Sequence, residues 1–360
     1  MTNKALAFHP ESAASVIRWL GPTSSHGDVD LSTYSRVHIF RDDQVAESVS
    51  DPILNGCSDQ GVECSQSTLE AGESLKDLQG VQRILDQMAH ADLDRASAVI
   101  AVGGGSLGDA VGFAASVWNR GISWFAVPTT LLAMVDAHLG GKTAIHFGGI
   151  KNRLGSFHLP REVWVHPDSL ETLPLHELRQ GWAEIIKAAL IGGGSFLQLL
   201  EEEMPQDLLP STEVIRQAMA VKVDVVNSDL RESGRRRILN LGHTLAHALE
   251  MEWRDGEPLW AHGEAVSMGL VFACFVSEKM GFATEPLLPR ISSLLESAGL
   301  PLRPTEFPDA ELLLDRIEKD KKSRGGVVSW ILPQSPGQVK IHELDRAGIR
   351  ESLTDWIQKA

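Results

Sequence analysis

The chain has 360 residues, enough for two domains with full cores, and its apolar and charged fractions, 43% and 22%, are those of a soluble globular protein. A formal charge of −15 and a pI near 5.3 exclude a non-specific nucleic-acid binder, since no basic tract is present to release counterions from a phosphate backbone. No apolar run reaches membrane-spanning length, and Met1 to Pro10 lacks a signal-peptide core. With three cysteines that show no framework spacing (Cys57 read as a loop thiol, Cys64 as a strand thiol, and Cys274), this points to a cytoplasmic protein with neither membrane nor nucleic-acid partners.

The first half alternates β-branched runs with amphipathic stretches, the pattern of a parallel sheet covered by helices. Arg36 to Phe40 reads as a strand that runs into Asp42-Asp43-Gln44, polar residues at a carboxyl end, where α/β folds place ligands. A second strand spans Glu63 to Leu69. After Gly72-Glu73 comes a helix through about Met88 with Lys76 in its first turn. The apolar strand Ser97 to Val102 leads directly into Gly103-Gly104-Gly105-Ser106-Leu107-Gly108-Asp109 and a helix of small residues. Glycines let backbone approach a phosphate, and a helix N-terminus offers unpaired N–H groups, so this segment reads as a dinucleotide pyrophosphate cradle. A further strand, Trp124 to Thr130, ends in the hydroxyls of Thr129 and Thr130. Asp136, Lys142, Lys151 and Asn152 then follow in a glycine-rich segment that suits a phosphorylated polyhydroxyl ligand or, more plainly, a solvated hairpin. The strand Val163 to Val165 and Leu173-Pro174 close this half, giving domains 1–174 and 175–360.

From Leu175 onward the pattern is helical, with runs near 176–190, 195–203, 211–227, 236–250, 262–281 and 287–298 and a last strand-like Val327 to Leu332. His243 and His247 stand at i and i+4, on one helical face, and His262 opens the next helical run. Glu184, in Gly-Trp-Ala-Glu-Ile-Ile-Lys, is the candidate acidic ligand, with Lys187 one turn on. Two imidazoles and one carboxylate leave a coordination position open, as in catalytic zinc sites. Lys222, Arg236 and Lys321-Lys322, basic residues concentrated around this motif in an acidic chain, suggest a multiply anionic substrate. His138, His146, His158, His166 and His176 read as structural or solvated.

Seven motifs in this order resemble the 3-dehydroquinate synthase family of sugar-phosphate cyclases over nearly the whole chain. They are Gly-Gly-Gly-Ser-Leu-Gly-Asp, Val-Pro-Thr-Thr-Leu-Leu, Val-Asp-Ala-His-Leu-Gly-Gly-Lys-Thr-Ala, Gly-Trp-Ala-Glu-Ile-Ile-Lys, Leu-Asn-Leu-Gly-His-Thr-Leu-Ala-His-Ala-Leu-Glu, His-Gly-Glu-Ala-Val and Asp-Lys-Lys. The resemblance implies a Rossmann-like α/β NAD-binding domain, an all-α metal-binding domain, and a cleft between them that holds one divalent ion, zinc or else cobalt. It assigns the metal to Glu184, His243 and His262, which moves His247 from the metal to the substrate phosphate. Asp136 and Lys187 correspond to residues near the reacting hydroxyls. Lys142, Asn152, Lys222, Arg236, Asn240 and one of Lys321 or Lys322 correspond to substrate contacts. Asp42, Glu73, Lys76, Gly103, Gly104, Gly105, Ser106, Gly108, Asp109, Thr129, Thr130, Lys142 and Lys151 make up the NAD set. Arg120 matches an arginine that reaches a neighbouring subunit's site, which implies a homodimer.

The implied reaction converts 3-deoxy-D-arabino-heptulosonate 7-phosphate to 3-dehydroquinate and phosphate. It proceeds by transient oxidation with NAD, phosphate elimination, re-reduction and intramolecular aldol closure. Ala137-His138 and His146 to Ile150 depart from the family's usual residues, and Gln44 replaces a usual Asn. The alternatives are a cyclase acting on a sedoheptulose-type phosphate, a metal-dependent polyol dehydrogenase, and a non-catalytic paralogue.

Overall fold

The computed structural model describes residues 7–8, 15–20, 29–70, 72–254, 257–306, 309–320 and 327–358. It divides into two units, Met1–Pro174 and Leu175–Ala360. Lys321 and Lys322 lie outside the described residues.

In the first unit, β1 (Ala7–Phe8), β2 (Ser15–Trp19) and β3 (Arg36–Asp42) are followed by α1 (Glu47–Asp59), β4 (Glu63–Leu69), α2 (Leu78–His90), β5 (Ala98–Gly103), α3 (Gly105–Val117) and β6 (Ser123–Pro128). A hairpin of β7 (Lys142–Phe147) and β8 (Ile150–Phe157) then precedes β9 (Glu162–Val165). Seven strands form one sheet in the order β1-β2-β9-β6-β5-β3-β4, and only the β1–β2 pair is antiparallel. Parallel neighbours require crossovers, and the helices supply them. β5 is buried at every position, the expected state of a central strand covered on both faces, which is why its sequence reads as an unbroken apolar run.

The chain moves outward from β3 to β4, then returns to place β5 on the other side of β3. The strand order therefore reverses between β3 and β5, so Asp42 and Gly103, their last residues, meet at the point where open α/β sheets bind ligands. Lys76 lies ahead of α2 and not in its first turn. It closes a short 3-10 turn, Glu73–Leu75, and the helix starts later because the Asp77 carboxylate caps it, accepting the Gly80 N–H at 2.7 Å. Cys57 belongs to α1, while Cys64 is a strand thiol on β4.

The second unit is helical: α4 (Leu175–Gly192), α5 (Gly194–Glu203), α6 (Thr212–Ser228), α7 (His243–Leu249), α8 (His262–Lys279), α9 (Leu288–Ser297), α10 (Ala310–Asp320) and α11 (Arg346–Gln358). Two hairpins are added, β10 (Trp253–Arg254) with β11 (Glu257–Pro258) and β12 (Val327–Ser335) with β13 (Gln338–Asp345). α4 is buried at every residue from Gln180 to Ile191, because α5, α6, α8 and α9 all pack on it. The sequence run 236–250 is not one helix. A 3-10 turn, Arg235–Asn240, gives way to extended Leu241 and to Gly242 at φ 81°, and α7 starts at His243. The backbones touch at this break: a Cβ on Gly269 of α8 would lie 2.0 Å from the Gly242 carbonyl oxygen. Among the described residues no helix is long and apolar enough to cross a membrane.

Candidate functional site

In the first unit Asp42, the glycine loop and Thr129-Thr130 stand at the carboxyl ends of β3, β5 and β6, while Glu73 and Lys76 follow β4 and Lys142 and Lys151 lie on the β7–β8 hairpin. The Gly103 carbonyl accepts the Thr129 N–H at 3.1 Å, and the Thr130 hydroxyl accepts the Ala133 N–H at 3.1 Å. Gly104 is the N-cap of α3 and supplies no side-chain cap, and the first intrahelical bond runs from Gly108 N–H to Gly104 carbonyl. The leading N–H groups of α3 thus lack helical partners and stand available to an anion.

The glycines have a second reason to be there. A Cβ on Gly103 would come within 2.6 Å of Leu107 and 2.9 Å of Asp42, one on Gly105 within 2.9 Å of Ala137, and one on Gly108 within 2.0 Å of His138. Close packing of the chain on itself demands them as much as any ligand would. Asp42 is raised above the ordinary carboxylate range by burial.

Beside the loop, the Lys76 ammonium pairs with Asp109 at 2.7 Å, both largely buried. Glu73 accepts from the Ser106 hydroxyl at 2.5 Å and from His146 Nε2 at 2.6 Å. Burial pushes the Glu73 carboxyl up, but Lys76, Ser106 and His146 together hold it below its ordinary value. His146, read from sequence as structural or solvated, is a link: its Nδ1 accepts the Asn152 N–H at 3.1 Å while Nε2–H donates to Glu73, which fixes one tautomer. Asn152 itself sits at φ 53° on β8, and Lys142 and Lys151 are exposed on the same hairpin. Asp136 lies half-buried on a π turn, Ala133–Ala137. Arg120 is exposed, and Asn119 and Arg120 adopt φ of 49° and 71° in succession, a left-handed pair that non-glycine residues rarely form.

In the second unit Glu184 of α4, His243 at the start of α7 and His262 at the start of α8 converge, with ligand atoms all within 4.8 Å of one another. His243 Nε2 stands 3.5 Å and His262 Nε2 3.3 Å from Glu184 Oε1. Both rings are oriented from behind: His243 Nδ1–H donates to the Leu241 carbonyl at 3.1 Å, and His262 Nδ1–H to the Glu250 carboxylate at 2.8 Å. Each Nε2 is left facing the acid, as metal-binding imidazoles are held. Neither Glu184 oxygen, in a side chain only 1% exposed, accepts a well-oriented hydrogen bond, and Lys187 Nζ closes on Oε2.

Burial pushes the Glu184 carboxyl up, but Lys187 and the two histidines hold it well below its ordinary value. Burial, reinforced by Lys187, lowers His243 to about 3. His262 is raised to about 10, because Glu184 and Glu250 outweigh its burial. A metal takes only neutral imidazoles, so a cation entering here would displace the His262 proton and set aside the Lys187 ammonium. Two Nε2 lone pairs and one buried carboxylate, all within 4.8 Å of one another, are then a donor set that suits a divalent ion.

His247 is outside this cluster, its ring 5.5 Å from that of His243. Lys222 is buried on α6, which packs on the 235–240 turn. Arg236 on that turn is only 2% exposed, its Nη1 donating to the Leu230 carbonyl at 2.5 Å, and Asn240 donates to Glu232 at 2.6 Å. Asp229 shapes the turn by accepting the N–H groups of Arg236, Gly234 and Ser233, which draw its pKa down to about 2. Glu250, Gln180, whose side chain accepts the Gly263 N–H, and the Leu241 carbonyl were not foreseen. Only Glu250 carried a signal, as the closing acid of the His-Thr-Leu-Ala-His-Ala-Leu-Glu run.

The family model for the 3-dehydroquinate synthase N-terminal region matches residues 66–180, and that for its C-terminal region matches residues 181–323. The chain belongs to the 3-dehydroquinate synthase family. A 3-dehydroquinate synthase of Crocosphaera subtropica is 36% identical over 349 residues, which cover 95% of this chain and 93% of that protein. Among solved structures, a 2-epi-5-epi-valiolone synthase from Streptomyces hygroscopicus with NAD+ and Zn2+ bound superposes with a TM-score of 0.83 at 26% identity, covering 98% of this chain and 99% of the other. A 2-deoxy-scyllo-inosose synthase complexed with carbaglucose-6-phosphate, NAD+ and Co2+ reaches 0.86 at 22% identity over 98% and 99%, a likeness of fold. Members of this family are enzymes, and Glu184, His243 and His262 of this chain form a group able to hold a metal ion.

Proposed function

We propose that this chain is a 3-dehydroquinate synthase that converts 3-deoxy-D-arabino-heptulosonate 7-phosphate to 3-dehydroquinate and phosphate, acting in the cytoplasm as a homodimer. The observation that carries the metal chemistry is the arrangement of Glu184, His243 and His262, whose Nδ1 bonds to Leu241 and Glu250 leave two Nε2 atoms directed at one carboxylate. When bound, the cation supplies Lewis-acid polarisation of a substrate hydroxyl, and NAD supplies a hydride acceptor that is regenerated in each turnover. Zinc suits two imidazole nitrogens and one carboxylate, and cobalt suits them nearly as well.

The chain's own residues then bind, orient and carry charge. Glu73, Lys76, Ser106, Asp109 and the glycine loop hold NAD, with Asp42 at the sheet's switch point. Lys187 and Asp136 serve the reacting hydroxyls. Lys142, Asn152, His247 and Lys321 or Lys322 take the phosphate end. Lys222, Arg236 and Asn240 take the carboxylate. A guanidinium pairs with a carboxylate through two parallel hydrogen bonds, and keeping such a group almost wholly buried favours an acid substrate over a neutral sugar phosphate. Arg120, exposed on a left-handed backbone, is assigned by the family resemblance to the site of a second copy.

The decisive assay is phosphate release from the heptulosonate phosphate with catalytic NAD, before and after chelation. Release that stops on chelation and returns with zinc supports the reading. Net NADH accumulation without phosphate would instead indicate a polyol dehydrogenase, and undiminished turnover by Arg236→Ala would favour a cyclase of carboxylate-free substrates.

A further inference from the structure

His138 follows the π turn that carries Asp136 and is only 3% exposed. Its Nε2 lies 3.1 Å from the Gly104 carbonyl oxygen. A carbonyl only accepts, so Nε2 bears the proton and donates. The same carbonyl also accepts the Gly108 N–H at 3.2 Å, and the Gly104 N–H donates to Asp42. The loop is therefore gripped from both sides at one residue. In a planar trans peptide the carbonyl and the following N–H point in opposite directions, so holding the Gly104 oxygen against His138 aims the Gly105 N–H the other way, at the open start of α3. Gly108 makes the clasp possible, because a Cβ there would sit 2.0 Å from Nε2 and 2.4 Å from Cδ2.

We propose that His138 is a positioning residue for the dinucleotide: its imidazole clasps the Gly104 carbonyl and fixes the glycine loop in the conformation that receives a pyrophosphate. The proposal rests on the reading that this loop binds NAD. It also ties the cofactor loop to the turn bearing Asp136, since the His138 side chain holds the loop while its backbone N–H closes the turn on the Ala133 carbonyl at 3.2 Å. A loop already held in its binding conformation loses less freedom when the ligand arrives, so the clasp appears in affinity and not only in stability.

The test titrates NAD calorimetrically into zinc-loaded protein, alongside thermal melts, for wild type, His138→Gln, His138→Phe, Gly108→Ala and the double variant Gly108→Ala/His138→Ala. Phenylalanine fills the space without a donor, and NAD binding is expected to weaken by about tenfold. Glutamine, whose amide nitrogen reaches about as far as Nε2, is expected to stay within roughly threefold of wild type. Gly108→Ala displaces the imidazole and should weaken NAD binding by about tenfold as well. The double variant gives the new methyl the vacated space, so its melting temperature should recover above that of Gly108→Ala while NAD remains weak.

Wild-type NAD affinity in His138→Phe would overturn the proposal. So would equal losses in the Gln and Phe variants that track their melting temperatures, which would mark His138 as packing alone. Should His138→Phe fail to fold, the Gly108→Ala and double variants decide, and recovery of NAD affinity in the double variant would refute the clasp. No NAD binding by the wild type would instead remove the cofactor reading itself, a result separate from any of these.

Discussion

Gly263→Ala tests whether the metal cage is set by the approach of α8 to α4. Gly263 follows His262 directly, and a Cβ there would lie 2.6 Å from Gln180 Cα and 2.8 Å from the Gln180 carbonyl oxygen, one turn before Glu184. Both are backbone atoms, so no side chain can swing aside, and ordinary contact requires the helices to part by about 0.8 Å. The separation of His262 Nε2 from Glu184 Oε1, now 3.3 Å, would then approach about 4 Å, whereas metal–ligand distances tolerate only about 0.2 Å. Overpacking of this kind costs about 1–3 kcal/mol, which corresponds to a roughly 5- to 150-fold loss of zinc affinity if the distortion falls on the cage. Competition against a chromogenic chelator measures it. Gly194→Ala, with open space around the new methyl in the same unit, is the control and should bind zinc as wild type does. Wild-type zinc affinity in Gly263→Ala would show that the α4–α8 contact does not define the site.

His247→Ala should keep zinc affinity within about threefold while phosphate release falls by about 100-fold, because the ring stands outside the cluster; loss of zinc would return His247 to the ligand set. Lys76→Ala leaves the Asp109 carboxylate without its buried partner and should destabilise the protein by about 3 kcal/mol in urea titrations, with weaker NAD binding; an unaltered midpoint would contradict the pairing. Burial lowers His38, held between Ser65 and Ser67, to about 4. The unfolded chain therefore takes up this proton first: the contribution is intact above about pH 6.5 and is lost as the pH falls toward 4, a difference of about 3 kcal/mol. His38→Gln should flatten that part of the stability profile, and a wild-type slope in the variant would assign the acid sensitivity elsewhere.

What could be read in the sequence was whatever is written in runs. The buried strand β5 announces itself by apolar continuity, and Glu184, His243, His247 and His262 stand out by residue type in short motifs, but which two imidazoles join the acid came from the family resemblance and not from their spacing. α10 and α11 went unseen because each is largely polar and is helical only through a narrow stripe, Leu313, Leu314 and Ile317 in one and Ile349, Leu353 and Trp356 in the other, which gains meaning once docked. The break at Gly242 was hidden because its cause, the close passage of Gly269, lies on another helix. The supporting groups have no signature of their own: the Gln180 amide meets Gly263, 83 residues away, and the Leu241 carbonyl, though only two residues from His243, is presented to it by the break at Gly242.

All three candidate ligands belong to the Leu175–Ala360 unit, and each stands on a different helix. A bound ion would therefore act as a cross-link among α4, α7 and α8 as well as a reagent, restraining the unfolded chain as a covalent bridge does. Loss of the ion would loosen this helical half first and leave the parallel sheet of the other half standing, so starvation for metal would weaken the fold unevenly as well as halting turnover.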